Sequence, residues 1–309
     1  MRLYSLFHSA IALSALFSIT VPAQPASFRV ATYNLEGYLQ VASSTRPAKS
    51  LQSRAKVRES ICALNPDVLA LQEIGGTNDL LELRDSLKQD GLEFAFWELV
   101  NGADTNIQVA VLSRFPLVAR RPHPRESFLL KDRRFHLSRG IAEVDVQVSA
   151  RYTFTLITGH LKSRRLIPQA DEAELRLEEA KVLRQKIDLR LAADPAVNLI
   201  VVGDFNDTKD SASTRVILGK GKARLLDTRP AERNGDSELS PDLECSGRKV
   251  TWTHFYAKDD VFIRIDFILL SPGMANEWVS QETYALSLPG WGVASDHRPI
   301  LATFVAEDR

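Results

Sequence analysis

Cysteine is scarce in this sequence, which contains only Cys62 and Cys245. A disulfide-rich fold is therefore excluded, and no spacing of Cys and His indicates a structural zinc site. Cys62 lies on the apolar face of a predicted helix, as is typical of a small core residue, whereas Cys245 lies in a polar segment. The sequence positions leave open whether these two residues form a disulfide.

An excess of either charge is also missing, because 39 basic and 39 acidic residues give a formal net charge of +0. A neutral protein has no overall field that would attract nucleic acid. The charge is nevertheless uneven, since residues 114–139 contain eight basic residues against only Glu126 and Asp132. Two interpretations of this basic segment stay open: a solvated loop, or a surface that holds phosphate groups.

Long apolar runs are missing after the N-terminus. Residues 10–21 are apolar apart from three hydroxyl residues, Arg2 is the only charged residue before them, and Val21 and Ala23 flank a proline. This pattern predicts a signal peptide over residues 1–23 and hence a protein that is secreted or periplasmic, with no stable membrane insertion after cleavage. An uncleaved N-terminal anchor is the alternative.

Repeats and long flexible linkers are missing too, which favours one catalytic domain over residues 24–309. Helices are predicted at 51–64, 78–89 and 168–193, the last opened by Pro168, and strands at 28–34, 67–72, 94–99, 107–113, 117–121, 140–148, 151–159, 197–202, 250–255, 262–270 and 296–305. Several strands are joined as hairpins while others alternate with helices, so the sheets must be mixed. The expected fold is α+β: a four-layer sandwich of two mixed β-sheets packed face to face, with helices on the outside.

Polar side chains interrupt or end these apolar strands at six places, and every one is a carboxylate, an amide or an imidazole. They are Asn34, Glu73, His160, Asp204 with Asn206, Asp266, and Asp296 with His297. Packing does not explain such residues, so we expect them to meet at one edge of the sandwich. The oxygens of Asn34, Glu73 and Asp296 are hard ligands that suit Mg²⁺, Mn²⁺ or Ca²⁺.

Seven short blocks of this sequence resemble, in order, the endonuclease/exonuclease/phosphatase superfamily. They are TYNL at 32–35, LQEI at 71–74, SRG at 138–140, GHLKS at 159–163, GDFN at 203–206, RIDF at 264–267 and SDHRP at 295–299. The blocks span nearly all of residues 24–309. The resemblance implies a deoxyribonuclease-like four-layer fold and hydrolysis of phosphoester bonds that depends on Mg²⁺ or Mn²⁺, with Ca²⁺ as an alternative ion.

The resemblance also implies roles for residues that would handle the metal and the water. Glu73 would be the principal metal ligand, with Asn34 and Asp296 beside it. Asp204 would orient or deprotonate the attacking water, and Asn206 would hold a phosphate oxygen.

The remaining roles implied by the resemblance concern the phosphate. His297 would face the scissile phosphate, and Asp266 would fix its tautomer and raise its pKa. His160 would be a second imidazole that contacts the phosphate or protonates the leaving group. Arg139 and Lys162 would clamp phosphate oxygens.

The substrate is less closely defined, because Gly75 stands where pancreatic-type deoxyribonucleases carry a groove-contacting arginine. The first hypothesis is an exported endonuclease that acts on nucleic acid as a monomer. A phospholipid diesterase of sphingomyelinase type is the enzymatic alternative, and it would need an exposed apolar hairpin, for which residues 255–256 and 286–291 are candidates. A binding protein on an inactive scaffold is disfavoured, because no expected chemical position carries an inert residue.

Overall fold

The computed structural model describes residues 27–232 and 250–309. The predicted signal peptide and Cys245 lie outside these residues. The strands, in chain order, are β1 (Ser27–Tyr38), β2 (Val68–Ile74), β3 (Phe96–Val100), β4 (Gln108–Ser113), β5 (Leu117–Arg120), β6 (Ser127–Leu130), β7 (Arg133–His136), β8 (Ala142–Ser149), β9 (Tyr152–His160), β10 (Leu199–Asp204), β11 (Leu226–Asp227), β12 (Ala231–Glu232), β13 (His254–Tyr256), β14 (Val261–Ile263), β15 (Asp266–Leu270), β16 (Trp278–Ala285) and β17 (Ile300–Val305). The helices are α1 (Leu51–Leu64), α2 (Thr77–Gln89), α3 (Glu172–Ala193), α4 (Ala212–Leu218), α5 (Pro272–Ala275) and α6 (Trp291–Ala294), with a 3₁₀ turn at Gly221–Ala223.

Two large β-sheets form the centre of the fold. The seven-stranded sheet has the order β12-β16-β17-β1-β2-β4-β3, and the six-stranded sheet has the order β11-β15-β10-β9-β8-β5. Both sheets are mixed, because β1–β2 and β9–β10 pair in parallel whereas β1–β17 and β10–β15 pair antiparallel. Two small hairpins, β6–β7 and β13–β14, stand apart from these sheets.

Strand residues alternate between two faces, so the apolar side chains separate into three cores. The middle core packs Val30 and Ala302 of the seven-stranded sheet with Leu156 and Val202 of the six-stranded sheet. A second core joins the other face of the seven-stranded sheet to α1 and α2, and a third joins the other face of the six-stranded sheet to α3 and α4. The predicted α+β sandwich of four layers is confirmed.

Several element boundaries differ from the prediction. Helix α3 begins at Glu172 rather than at Pro168, because the Asp171 side chain accepts hydrogen bonds from the N–H groups of residues 173 and 174 and caps the helix there. The predicted strand 262–270 is divided into β14 and β15, and at the break the N–H groups of Ile265 and Asp266 donate to Thr253 Oγ1. The last strand begins only at Ile300, which leaves Asp296 and His297 on the loop before it.

The basic segment 114–139 is not a plain loop, because it contains the β6–β7 hairpin. Phe128 of this hairpin packs in the same core as α3. Acidic partners neutralise much of the segment's charge: Arg120 pairs with Glu98, and Arg121 pairs with Glu143. Within the described residues, no helix has both the length and the apolar character needed to cross a bilayer.

Candidate active site

Three predicted site residues form one row across neighbouring strands of the six-stranded sheet. His160 on β9 is the register partner of Asp204 on β10, and Asp204 is the register partner of Asp266 on β15. All three side chains are buried. Because paired residues of adjacent strands point to the same face, the sheet itself brings an imidazole and two carboxylates together.

No side chain fits at Gly203, where β10 pairs with β9 just before this row. Gly203 has a φ of 140°, and a Cβ atom at this position would lie 2.0 Å from the carbonyl oxygen of Gly159. Only glycine fits there without moving one of the two backbones. The glycine before Asp204 therefore allows β10 to pair with β9 where these strands present Asp204 and His160.

His297 reaches this row from the loop between α6 and β17. Its Nδ1 lies 2.9 Å from Asp266 Oδ2, and its Nε2 lies 3.7 Å from Asp204 Oδ2. Ser295 orders the loop, because its hydroxyl donates to the backbone oxygen of Asn34 and accepts from the His297 N–H. Burial alone would lower the pKa of His297, but Asp266 and then Asp204 outweigh it and raise the pKa to about 10.

Asp204 lies at the centre of the group and keeps two fixed hydrogen-bond donors. Its Oδ2 accepts from Asn34 Nδ2 at 2.9 Å, and its Oδ1 accepts from the Asn206 N–H at 2.8 Å. Burial raises its pKa to about 7; His297 opposes this rise and Asp266 adds to it. The side-chain nitrogen of Asn206 donates to the Leu161 carbonyl at 3.0 Å, so this amide also fastens the loop after β10 to the loop after β9.

His160 is the second imidazole beside Asp204, but its electrostatic setting is the reverse of that of His297. Its Nε2 lies 3.5 Å from Asp204 Oδ2 and 3.9 Å from Glu73 Oε1. Its Nδ1 is buried and has no hydrogen-bond partner among residues 27–232 and 250–309. Burial, followed by the positive charges of Arg139 and His297, lowers the pKa of His160 well below its ordinary value. The site therefore pairs a neutral imidazole with a protonated one.

The predicted metal ligands lie at the edge of this group. Glu73 has a φ of 58° at a register shift between β2 and β4, and its Oε2 accepts from Arg46 Nη1 at 3.2 Å. The carboxylate of Asp296 lies 3.8 Å from His297 Nε2. The side-chain oxygen of Asn34 accepts from the Glu36 N–H at 3.0 Å, while its amide nitrogen contacts Asp204 as described above.

Acidic side chains crowd this edge, and their donor atoms fit a hard divalent cation. Burial raises the pKa of Glu36, and the charges of Asp296 and Glu73 raise it further although Lys49 opposes them. Such mutual repulsion indicates a surplus of negative charge that a cation would relieve. The compact groups of three potential ligands within the described residues are His254–Asp296–His297 and Asp204–Asp266–His297, and neither of them includes Glu73.

Arg139 and Lys162 lie beside the row rather than in it. Both residues are buried, and Lys162 Nζ donates to the backbone oxygens of Ser163 and Arg165 at 3.0 and 2.9 Å. Burial and then the neighbouring Arg139 lower the pKa of Lys162. The charges of Arg139 and Lys162 both act on His160, so they belong to the surroundings of the same site.

A buried acid on α3 supports these two cations, and sequence reasoning missed it. Glu179 accepts hydrogen bonds from the N–H groups of Ser138 at 3.2 Å and Lys162 at 2.5 Å. The helical spacing of the sequence could have indicated that Glu179 is buried, because it lies four residues from both Leu175 and Leu183 on the buried face of the helix.

His254 is a second residue that the sequence did not single out. It lies on the β13–β14 hairpin, where its ring centre is 4.5 Å from that of His297 and its Nε2 is 3.5 Å from Asp296 Oδ2. Hydrogen bonding from His254 helps to lower the pKa of Asp296, although burial acts in the opposite direction. No motif spacing pointed to this contact, because it depends on the fold of the hairpin.

The fold and the site together define a class of proteins: two-sheet α+β sandwiches that carry acids and imidazoles on one edge of the sheets. The chain belongs to the endonuclease/exonuclease/phosphatase family, whose sequence model matches residues 31–297. Members of this family are typically phosphoester hydrolases, and they generally use divalent metal ions. The family resemblance of the seven sequence blocks is thereby confirmed.

Solved structures share the fold at low sequence identity. The human nocturnin catalytic domain with bound sulfate anion is 19% identical and has a TM-score of 0.60; the alignment covers 93% of this chain and 97% of the nocturnin chain. Sphingomyelinase C from Streptomyces griseocarneus is 19% identical, with coverage of 90% and 99% and a TM-score of 0.59. A family protein from Bacteroides thetaiotaomicron is 17% identical, with coverage of 92% and 99% and a TM-score of 0.55. No curated protein sequence matches this chain.

Proposed function

We propose that this protein is a divalent-metal-dependent phosphodiester hydrolase. The observation that carries the proposal is the convergence of two imidazoles, one neutral and one protonated, on one carboxylate: His160 Nε2 and His297 Nε2 lie 3.5 and 3.7 Å from Asp204 Oδ2. Titratable groups whose environments move their pKa values apart are typical of an acid–base pair. Phosphodiester hydrolysis requires such a pair, because water must lose a proton and the leaving oxygen must gain one.

The proposed roles follow from the protonation states. Asp204, held by Asn34 and the backbone of Asn206, accepts a proton from the water whose oxygen attacks phosphorus. As the bond from phosphorus to the leaving oxygen breaks, His297 donates its Nε2 proton to that oxygen. Asp266, hydrogen-bonded to Nδ1, holds the His297 ring in place and stabilises its charge. The neutral His160 contacts a non-bridging phosphate oxygen and donates a hydrogen bond to it.

A metal ion would be held by Glu73, Asp296 and Asn34, and Mg²⁺ or Mn²⁺ suits these oxygen donors, with Ca²⁺ as the alternative. When bound, such an ion neutralises charge on phosphate oxygens. The crowding of Glu36, Glu73 and Asp296 supports this assignment. Arg46, which donates to Glu73, balances part of the same negative charge.

Nucleic acid is the substrate class that we propose first, with the protein acting as a monomeric endonuclease. The support is electrostatic, because Arg46, Arg139 and Lys162 all lie close enough to His160 to lower its pKa. Phosphate backbones are held by such positive groups.

A phospholipid diesterase is a second candidate, and one observation favours it. The β13–β14 hairpin beside His297 exposes Tyr256, Val261 and Phe262, whose exposed fractions are 44%, 41% and 53%. Exposed aromatic and aliphatic side chains next to a reaction site are suited to entering a lipid interface. The predicted alternative at 286–291 is less suited, because Leu286 is buried.

A screen of substrates with and without metal tests the proposed function. We expect the metal-free protein to be inactive and Mg²⁺ or Mn²⁺ to restore hydrolysis of bis-p-nitrophenyl phosphate and of plasmid DNA or RNA. Glu73→Gln should keep the fold and lose metal-dependent turnover. Full activity in the presence of EDTA would remove the metal from the mechanism, and full activity of Glu73→Gln would remove Glu73 from it. Exclusive hydrolysis of sphingomyelin vesicles would favour the second candidate.

Export of the protein is a separate proposal that rests on residues 1–23. Mass spectrometry of the protein recovered from its native compartment should give a mature chain of residues 24–309. A cytoplasmic protein that retains residues 1–23 would contradict export but would leave the proposed chemistry untouched.

A further inference from the structure

A cleft of about 340 Å³ opens beside the reaction centre, and its lining is strongly basic. Four cationic side chains face it, namely Arg46, Arg139, Lys162 and Arg165, against the single acid Asp104. The roles inferred from the sequence include only Arg139 and Lys162, and only as clamps on phosphate. The size of the cleft and its four charges exceed what the oxygens of one phosphate require.

Two of the four cations have protein partners, because Arg46 pairs with Glu73 and Lys162 donates to backbone oxygens. Arg139 and Arg165 form no ion pair with an acid among residues 27–232 and 250–309. Arg139 is 6% exposed, and its Nε has no hydrogen-bond partner among the described residues. A buried guanidinium nitrogen without an acceptor is costly unless a ligand supplies one. The acid Asp104 does not supply it, because its Oδ1 accepts from the backbone and side-chain nitrogens of Asn106 at 2.9 and 3.2 Å.

The cleft is also a built structure rather than a chance meeting of surface side chains. Glu179 accepts from the backbone N–H groups of Ser138 and Lys162 and so fixes the two segments that carry the buried cations. A Cβ atom at Gly102 would lie 2.4 Å from the Cα of Arg139, so the opposite wall is packed against the Arg139 backbone. Preorganised walls of this kind lower the entropic cost of binding an anion.

The cleft is continuous with the reaction centre through a short chain of contacts. Arg46 Nη1 lies 3.2 Å from Glu73 Oε2, and Glu73 Oε1 lies 3.9 Å from His160 Nε2. Arg46 therefore borders both regions. An anion in the cleft would lie next to, and not on top of, a phosphate held between His160 and His297.

We propose that this cleft is a subsite for a second phosphate of the substrate, adjacent to the scissile phosphodiester. The inference rests on the proposed function and narrows it to substrates that carry two neighbouring phosphates, as an oligonucleotide does. The guanidinium group of an arginine can donate two parallel hydrogen bonds to two oxygens of one phosphate, and the ammonium group of a lysine adds a single positive charge. A phosphocholine lipid fits poorly, because its quaternary ammonium would face four cations.

Equilibrium binding with small probes tests the subsite directly. In the presence of Mg²⁺, isothermal titration should show that thymidine 3′,5′-bisphosphate binds at least about tenfold more tightly than thymidine 3′- or 5′-monophosphate, as expected for charge-assisted hydrogen bonds to a second phosphate. Arg165→Gln, an exposed change, should reduce this advantage to about threefold or less. Arg139→Lys should do the same, because it keeps the charge but loses the fork. Circular dichroism checks that both variants are folded.

Arg151→Gln is the matched control, because Arg151 is an exposed arginine in the turn between β8 and β9, at the opposite end of β9 from His160. This variant should keep the full advantage of the bisphosphate. Equal affinities for the bisphosphate and the monophosphates, no binding of any of them, or tighter binding of phosphocholine than of the monophosphates would overturn the subsite. Hydrolysis of bis-p-nitrophenyl phosphate, which has one phosphate only, reports on the proposed function separately, so the two failures are distinguishable.

Discussion

Asp204 and Asp266 face each other as register partners on the antiparallel strands β10 and β15. Two like charges directly opposite each other destabilise a sheet, so such a pair needs a compensating group. The imidazole of His297 supplies it, with Nδ1 at 2.9 Å from Asp266 and Nε2 at 3.7 Å from Asp204. The charges of the three residues are therefore coupled through these contacts, and each substitution among them should change the behaviour of the others.

The first prediction is that Asp266 and His297 do not contribute independently to turnover. Asp266→Asn should lower kcat by roughly two to four decades, the range expected for acid–base and orienting groups. His297→Ala should cost at least as much, and the double variant should be no slower than His297→Ala alone. The measurement is the initial rate with Mg²⁺ for the unchanged protein, the two single variants and the double variant, which together form a double-mutant cycle. Losses that multiply would mean that Asp266 acts without His297.

The second prediction concerns the pH profile. Asp204 must be deprotonated to accept a proton, and because its pKa is raised to about 7 the rate should rise as pH increases through about 7. His297 must be protonated to donate, and because its pKa is raised to about 10 the rate should fall as pH increases through about 10. Asp266 raises both pKa values, so Asp266→Asn should move both limbs of the kcat profile to lower pH. If the rising and falling limbs of the kcat profile moved in opposite directions in Asp266→Asn, the effect of Asp266 on both pKa values would be contradicted.

The third prediction is that Glu179 stabilises the fold through buried hydrogen bonds. Glu179→Ala leaves the N–H groups of Ser138 and Lys162 without a partner and should lower the free energy of unfolding by about 2–4 kcal/mol. Urea unfolding followed by circular dichroism measures this change. The neighbouring Glu178, which pairs with Lys181 nearer the surface, is the control, and Glu178→Ala should change stability by less than about 0.5 kcal/mol.

The fourth prediction separates the structural arginines of the basic segment from its exposed ones. Arg121→Gln removes a partner of the buried Glu143 and should lower the free energy of unfolding by about 1–3 kcal/mol. Replacing both Arg133 and Arg134 with Gln should leave the free energy of unfolding nearly unchanged. The slope of the logarithm of the nucleic-acid binding constant against the logarithm of salt concentration should become shallower by about one to two. An unchanged slope, measured by fluorescence anisotropy between low and moderate salt, would exclude this hairpin from the binding surface.

The layers of the fold were predictable because each depends on a local period. Strands β1, β2, β9 and β10 begin as apolar runs. The polar residues that follow these runs, Asn34, Glu73, His160 and Asp204, lie together at one edge of the two sheets, although β1 continues beyond Asn34 to Tyr38. The amphipathic pattern also located α1 and α2 to within one residue at each end. The weakly patterned strand β16 was missed, since its pairing with β17 is interrupted by a register shift between Val279 and Tyr284.

The parts that could not be predicted depend on contacts between distant segments. The ion pair of Arg46 with Glu73 joins residues 27 apart in sequence, and His254 reaches Asp296 only because the β13–β14 hairpin folds over the last loop. The sequence also left open whether the charges of residues 114–139 hold phosphate, whereas in the fold Arg120 and Arg121 are paired with acids. Residue type and spacing show which groups can react, but not which of them already have partners.

The division of the site between two sheets has a consequence for how the protein acquires activity during folding. Asn34 and Glu73 come from the seven-stranded sheet, whereas His160, Asp204 and Asp266 come from the six-stranded sheet, so neither sheet alone holds a complete set of groups. In refolding from denaturant, recovery of turnover should therefore coincide with the docking of the two sheets and lag behind the return of secondary structure. The proposed phosphodiester hydrolysis would thus measure the last step of assembly, because it would report the closure of the middle core without any attached label.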